Sequence, residues 1–140
     1  MKTLKFAPKA VTGYDAEVEG KNIKIEPTFS GHIELKIPNF FERQELKSLL
    51  VGVVAKDGEA DLEALQKGKM SGKVNVGAVV RGMADLVKAS VPFYQAVALK
   101  HLASGKEYAS FEDLSYEPAA EGILQEVAQE LASGLAPSKN

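Results

Sequence analysis

A chain of 140 residues, 45% hydrophobic and 26% charged, suits one globular domain with a core of its own, spanning residues 1–140. The absence of cysteine excludes disulfides and thiolate metal centres and fits a reducing compartment. A net charge of −2 excludes a global field that would draw the chain to nucleic acid or anionic lipid.

The first 38 residues read as β-structure. Ala16 and Val18 alternate with Glu17 and Glu19, Ile23 and Ile25 flank Lys24, and Ile33, Leu35 and Ile37 alternate with Glu34 and Lys36. Gly20-Lys21-Asn22 and Pro27 to Gly31 are the turn and loop between them, which predicts an antiparallel meander of three strands. Leu4 and Phe6 belong to a fourth strand or to an arm.

At Asn39 the period changes from two to that of a helix. Asn39 and Glu42 have the spacing of a capping box, and Phe40, Leu46, Leu49, Leu50 and Val53 share a helical face. A short helix is expected over Glu59 to Lys67, then a basic glycine loop, Gly68 to Gly72. Val76, Val79, Val80, Met83, Leu86 and Val87 make a further stripe that ends before Pro92. Residues 93–102 are expected to form another helix, with Val97, Leu99 and Leu102 apolar. Near the end, Ser110 and Asp113 form a capping pair, and Pro118 suits a first helical turn. Ile123, Leu124, Val127 and Leu131 form one stripe, and Gly134 and Pro137 stop the helix. The expected fold is α+β. A small N-terminal sheet lies within 1–38, a bundle of four or more helices spans 39–134, and 135–140 form a flexible tail.

Chemistry-bearing patterns are sparse. Gly68-Lys69-Met70-Ser71-Gly72-Lys73-Val74 resembles a phosphate loop, but only three residues separate its glycines and Val74 stands where a Ser or Thr must meet magnesium. Lys67, Lys69 and Lys73 form at most a small basic patch. His32 and His101 lack metal-ligand spacing and a placed nucleophile. Glu17 with Glu19, and Glu112 with Asp113, sit beside turns and caps, where solvation explains them. No catalytic, cofactor or metal residue is therefore assigned, and no membrane span is expected, since the apolar runs are too short. The N-terminal segment is interrupted by Lys2, Lys5 and Lys9, unlike a secretory leader.

Two adjacent aromatic pairs, Phe40-Phe41 and Phe93-Tyr94, open predicted helices. Neighbours on a helix point about 100° apart, so either one of each pair is exposed or the core touches the helix on two sides. Phe40 matches the buried stripe, which leaves Phe41 over; Phe41 and Tyr94 are the candidate partner-binding residues.

The segment Phe111-Glu112-Asp113-Leu114-Ser115-Tyr116-Glu117-Pro118, followed by Ile123 to Leu131 and Gly134, resembles the close of the tail assembly chaperones of long-tailed bacteriophages, the group that includes the lambda G-type protein. The resemblance covers roughly a quarter of the chain. It implies a noncatalytic protein of the host bacterial cytoplasm that binds the tape-measure protein and helps recruit tail-tube subunits, without cofactor, nucleic acid or membrane, and with room for self-association. In such genes a programmed frameshift often adds a second domain, and Lys139-Asn140 is compatible with slippery codons. Two other readings stand beside it: a different binding module, such as a virion subunit or adaptor, and a small enzyme with an unrecognised site.

Overall fold

The computed structural model describes residues 2–55 and 76–134. The expected helix over Glu59 to Lys67, the basic glycine loop and the tail 135–140 lie outside the described residues.

Thr3–Phe6 forms strand β1 and Lys9–Thr12 a single helical turn, α1. Tyr14–Val18 (β2) and Lys21–Ile25 (β3) pair as a hairpin. The hairpin reverses through Glu19 and Gly20, both with positive φ, 54° and 78°; that is the backbone of a tight type I′ turn. It lies one residue before the turn the sequence suggested. Phe29–Lys36 (β4) does not join this hairpin. It pairs instead with β1, Phe6 opposite Ile33, and with a later strand, β5 (Tyr94–His101). The expected three-strand meander is thus corrected to a hairpin plus a four-stranded antiparallel sheet, ordered β1-β4-β5-β6, with β6 at Glu107–Tyr108.

The expected helix over 93–102 is also overturned. Val97 and Leu99 are buried, while Ala96, Ala98 and Lys100 between them are exposed, the period of a strand. Ala96, Ala98 and Leu99 favour a helix in isolation, but pairing against β4 along its whole length overrides that preference. Gly31 makes the close approach of the two strands feasible. Its φ is +111°, and a Cβ there would lie 1.8 Å from the Ala98 carbonyl oxygen. A register shift leaves Gln95 unpaired, since Glu34 faces Ala96 and Leu35 faces Tyr94.

The helical layer covers one face of the sheet. Phe40–Ala55 (α2), Val76–Ser90 (α3) and Glu121–Ala132 (α5) pack pairwise. Short 3₁₀ turns at Val91–Phe93 and Pro118–Ala120 and the single turn Phe111–Ser115 (α4) join them to the strands. The core runs from Phe29, Ile33, Leu35, Val97 and Leu99 of the sheet to Leu46 of α2, Leu86 of α3 and the stripe Ile123, Leu124, Val127 and Leu131 of α5. This is the expected α+β class, with two strands inside the segment expected to be wholly helical.

Local signals predicted in the sequence are in place. The Glu42 N–H donates to Asn39 Oδ1, and the Asn39 N–H donates to Glu42 Oε1, both at 2.9 Å, completing a capping box. The Asp113 N–H donates to Ser110 Oγ at 3.1 Å, while the acid reaches back to the Ala109 N–H. Pro118 opens the 3₁₀ turn that runs directly into α5.

Candidate protein-binding surface

The α2 N-terminus presents both phenylalanines to solvent. Phe41 is 77% exposed, as expected, but Phe40 is also 57% exposed, contrary to its assignment to the buried stripe. The buried stripe of α2 starts only at Leu46. The two rings meet edge to face at 5.4 Å. Their platform is fixed: Glu42 holds Lys36 Nζ at 2.9 Å, and Arg43 Nη1 donates to the Pro38 carbonyl at 3.0 Å. The Asn39 N–H, and after it the Lys36 ammonium, hold the Glu42 carboxyl below the usual carboxylate range.

Tyr94 is not the exposed member of its pair. It lies on β5, half-buried, with its ring edge against Phe111 at 5.0 Å. Its hydroxyl is buried without a hydrogen-bond partner among the described residues; the neighbouring Ser90 hydroxyl donates to the Val87 carbonyl at 2.6 Å. Burial raises the phenol's pKa well above its ordinary value of 10.0. Phe93 is buried in the core, and Lys36 Nζ lies over its ring. Phe41 is thus exposed beside Phe40, whereas Tyr94 is half-buried against Phe111.

Two clefts that sequence reasoning missed flank α5. The first, about 570 Å³, is walled by Val80, Met83 and Val87 of α3, with Val91, Phe111 and Leu124 completing an apolar lining. Lys88, Glu121 and Gln125 stand at its rim. Val80 is 62% exposed, so the apolar face of α3 is wider than the stripe that meets the core. The adjacent pair Val79-Val80 was the signal for that width. The second cleft, about 470 Å³, lies between α5 and the base of the β2–β3 hairpin.

His101 ends β5 with its ring against Phe29 at 4.9 Å, and its Nδ1 lies 2.9 Å from Ser104 Oγ inside the β5–β6 turn. Ser104 Oγ also accepts the Lys106 N–H, which ties that turn together. His32 sits on β4, in the row that faces away from the core residues Ile33 and Leu35. The Tyr108 hydroxyl donates to Glu117, which pushes the phenol up to about 12, helped by burial, and holds the carboxyl down. Among the described residues no three His, Asp or Glu side chains converge as metal ligands, and no helix is long and apolar enough to cross a membrane.

Compared with protein-family models, curated proteins and solved structures, the chain has no significant match to any of them.

Proposed function

We propose that this chain is a noncatalytic protein-binding module, and within that class a phage or prophage tail assembly chaperone of the host cytoplasm. It binds the tape-measure protein and helps recruit tail-tube subunits. The observation that carries the reading is the apolar groove between α3 and α5. Val80 and Val91 remain exposed over Met83, Val87, Phe111 and Leu124, in a trough open to solvent. An amphipathic helix laid into such a groove is a standard mode of recognition, and Met83 in its wall adapts to varied side chains. A long helical, apolar polypeptide waiting for assembly needs that cover. The exposed Phe40–Phe41 pair on its rigid cap offers a second contact of the same chemistry.

The test is co-expression with the tape-measure protein encoded in the same genome. The tape-measure protein is expected in the soluble fraction with the parent chain and in the pellet with Val80→Asp, whose fold survives because Val80 is mostly exposed. A tape-measure protein equally soluble without this chain, or with Val80→Asp, would sink the proposal.

A further inference from the structure

The β2–β3 hairpin stands apart from the main sheet. Its register sets Tyr14 opposite Ile25, Ala16 opposite Ile23 and Val18 opposite Lys21, so the apolar residues share one face, with Lys21 beside them only at the turn end. Asp15, Glu17, Asn22 and Lys24 take the other. Two strands alone are marginal in water and are stabilised when their apolar face is covered. Tyr14, Val18 and Ile23 nevertheless remain 44%, 49% and 42% exposed. At its base this face opens into the 470 Å³ cleft, with Ile123 and Gly122 of α5 across from it.

Two features of α5 describe what fits there. The first is Gly122, where a Cβ would meet nothing within 4 Å. No neighbour inside the chain requires a glycine at this position, and its bare backbone admits a close approach from outside. The second is charge. The helix carries Glu121, Glu126 and Glu130 and no lysine or arginine. Glu26 and Glu126 line the cleft, and Glu130 follows Glu126 by one turn of the same helix. The one cation lining the cleft among the described residues is Lys9, whose Nζ lies over the Tyr14 ring at 5.6 Å.

We propose that this cleft docks a basic amphipathic segment of a protein partner. Its apolar stripe lies against Tyr14, Val18 and Ile23, its backbone approaches at Gly122, and its lysine or arginine side chains meet Glu26, Glu130 and the Glu126 lone pairs that the Lys9 N–H leaves free. The surface shares only Gln125 with the apolar groove on the other side of α5, so it stands independently of the function assigned to that groove.

Fluorescence anisotropy with the full chain tests this, using two labelled peptides of about 18 residues, or five helical turns. Both carry the same leucine stripe; the polar face of one is lysine and of the other glutamate. The lysine peptide is expected to bind and the glutamate peptide not. Gly122→Leu fills the cleft without changing charge. It is expected to keep or raise the thermal midpoint, because leucine is the better helix former, and to weaken the lysine peptide at least about tenfold. Glu126→Gln should weaken it about threefold, the scale of a solvent-accessible ion pair. Val80→Asp, in the other groove, should leave it unchanged. Equal binding of both peptides, no binding of the lysine peptide, or binding indifferent to Gly122→Leu would overturn the proposal.

Discussion

The main-chain N–H of Lys9 donates to both carboxylate oxygens of Glu126, at 3.0 and 3.2 Å, across a separation of 117 positions. Pro8 precedes α1 and offers no side-chain cap of its own. The C-terminal helix therefore supplies the acceptor that the start of α1 lacks, and the base of the hairpin is tied to α5 at that point. The carboxylate is half-buried for this task, and burial, ahead of any other influence, raises its pKa.

That raised pKa sets the sign of the first prediction. A folded state that holds a proton more tightly than the unfolded chain is favoured below the unfolded pKa, and the benefit is lost as pH rises through the folded value. Replacing Glu126 with glutamine keeps an amide oxygen for the Lys9 N–H and removes the charge. Glu126→Gln is therefore expected to melt at or above the parent at neutral pH, with the gap closing in acid below the ordinary value of 4.5. Thermal melts across that range check it; a variant less stable at neutral pH than in acid, relative to the parent, would contradict it.

Glu42 has the opposite sign. Its depressed pKa means that the capping box adds stability above the ordinary value of 4.5 and loses it as pH falls through the lower folded value. Asn39→Ala should cost about 1 kcal/mol near neutrality, the usual worth of an N-cap. Against Glu42→Gln, the parent's advantage should shrink on acidification. Denaturant titrations at several pH values measure both.

Phe41→Ala separates recognition from packing. With 77% of the residue exposed, its truncation should change stability by no more than about 0.5 kcal/mol. Loss of tape-measure co-solubility at an unchanged midpoint assigns Phe41 to the partner surface. A stability loss of about 3–5 kcal/mol would return it to the core.

Tyr94→Phe removes a buried hydroxyl without a partner while keeping the ring against Phe111. Leaving such a group unsatisfied costs about 1–3 kcal/mol, so the variant should be more stable by about 1 kcal/mol. A destabilised Tyr94→Phe would mean that the hydroxyl is hydrogen-bonded in solution.

Gly31→Ala is expected to be strongly destabilising. The added carbon would sit 1.8 Å from the Ala98 carbonyl oxygen, at a φ that side chains avoid. A loss above about 4 kcal/mol, or failure to accumulate folded protein, is the expected outcome. Circular dichroism of the purified variant reads it directly.

Features that depend on neighbouring residues were legible in the sequence. The two capping pairs, Asn39 with Glu42 and Ser110 with Asp113, involve groups three residues apart, and the α5 stripe is a single helical face. The hairpin strands also declared themselves by alternation, although their separation from β4 did not. Strand β5 was hidden because Ala96 and Ala98 occupy its open face, and alanine there reads as helix former rather than as the exposed half of a strand. Its identity comes from β4, a segment far away in sequence. For the surface, Phe41 was found because one residue of a helical pair was left over from the stripe. Tyr94 was misplaced together with its strand. The two clefts were invisible for a different reason: each is walled by residues from at least three separate segments.

The order β1-β4-β5-β6 also governs when the protein takes shape during synthesis. Val97 lies opposite Ile33, so the central pairing of the sheet joins segments about sixty positions apart. In a growing polypeptide that has left the ribosome only through α3, Ile33 and Leu35 lack both the β5 partner and the α5 cover. Domain closure waits for the stretch from Tyr94 of β5 to Ala132 of α5. Until then the same apolar residues that become the core are open to whatever other chain is emerging nearby.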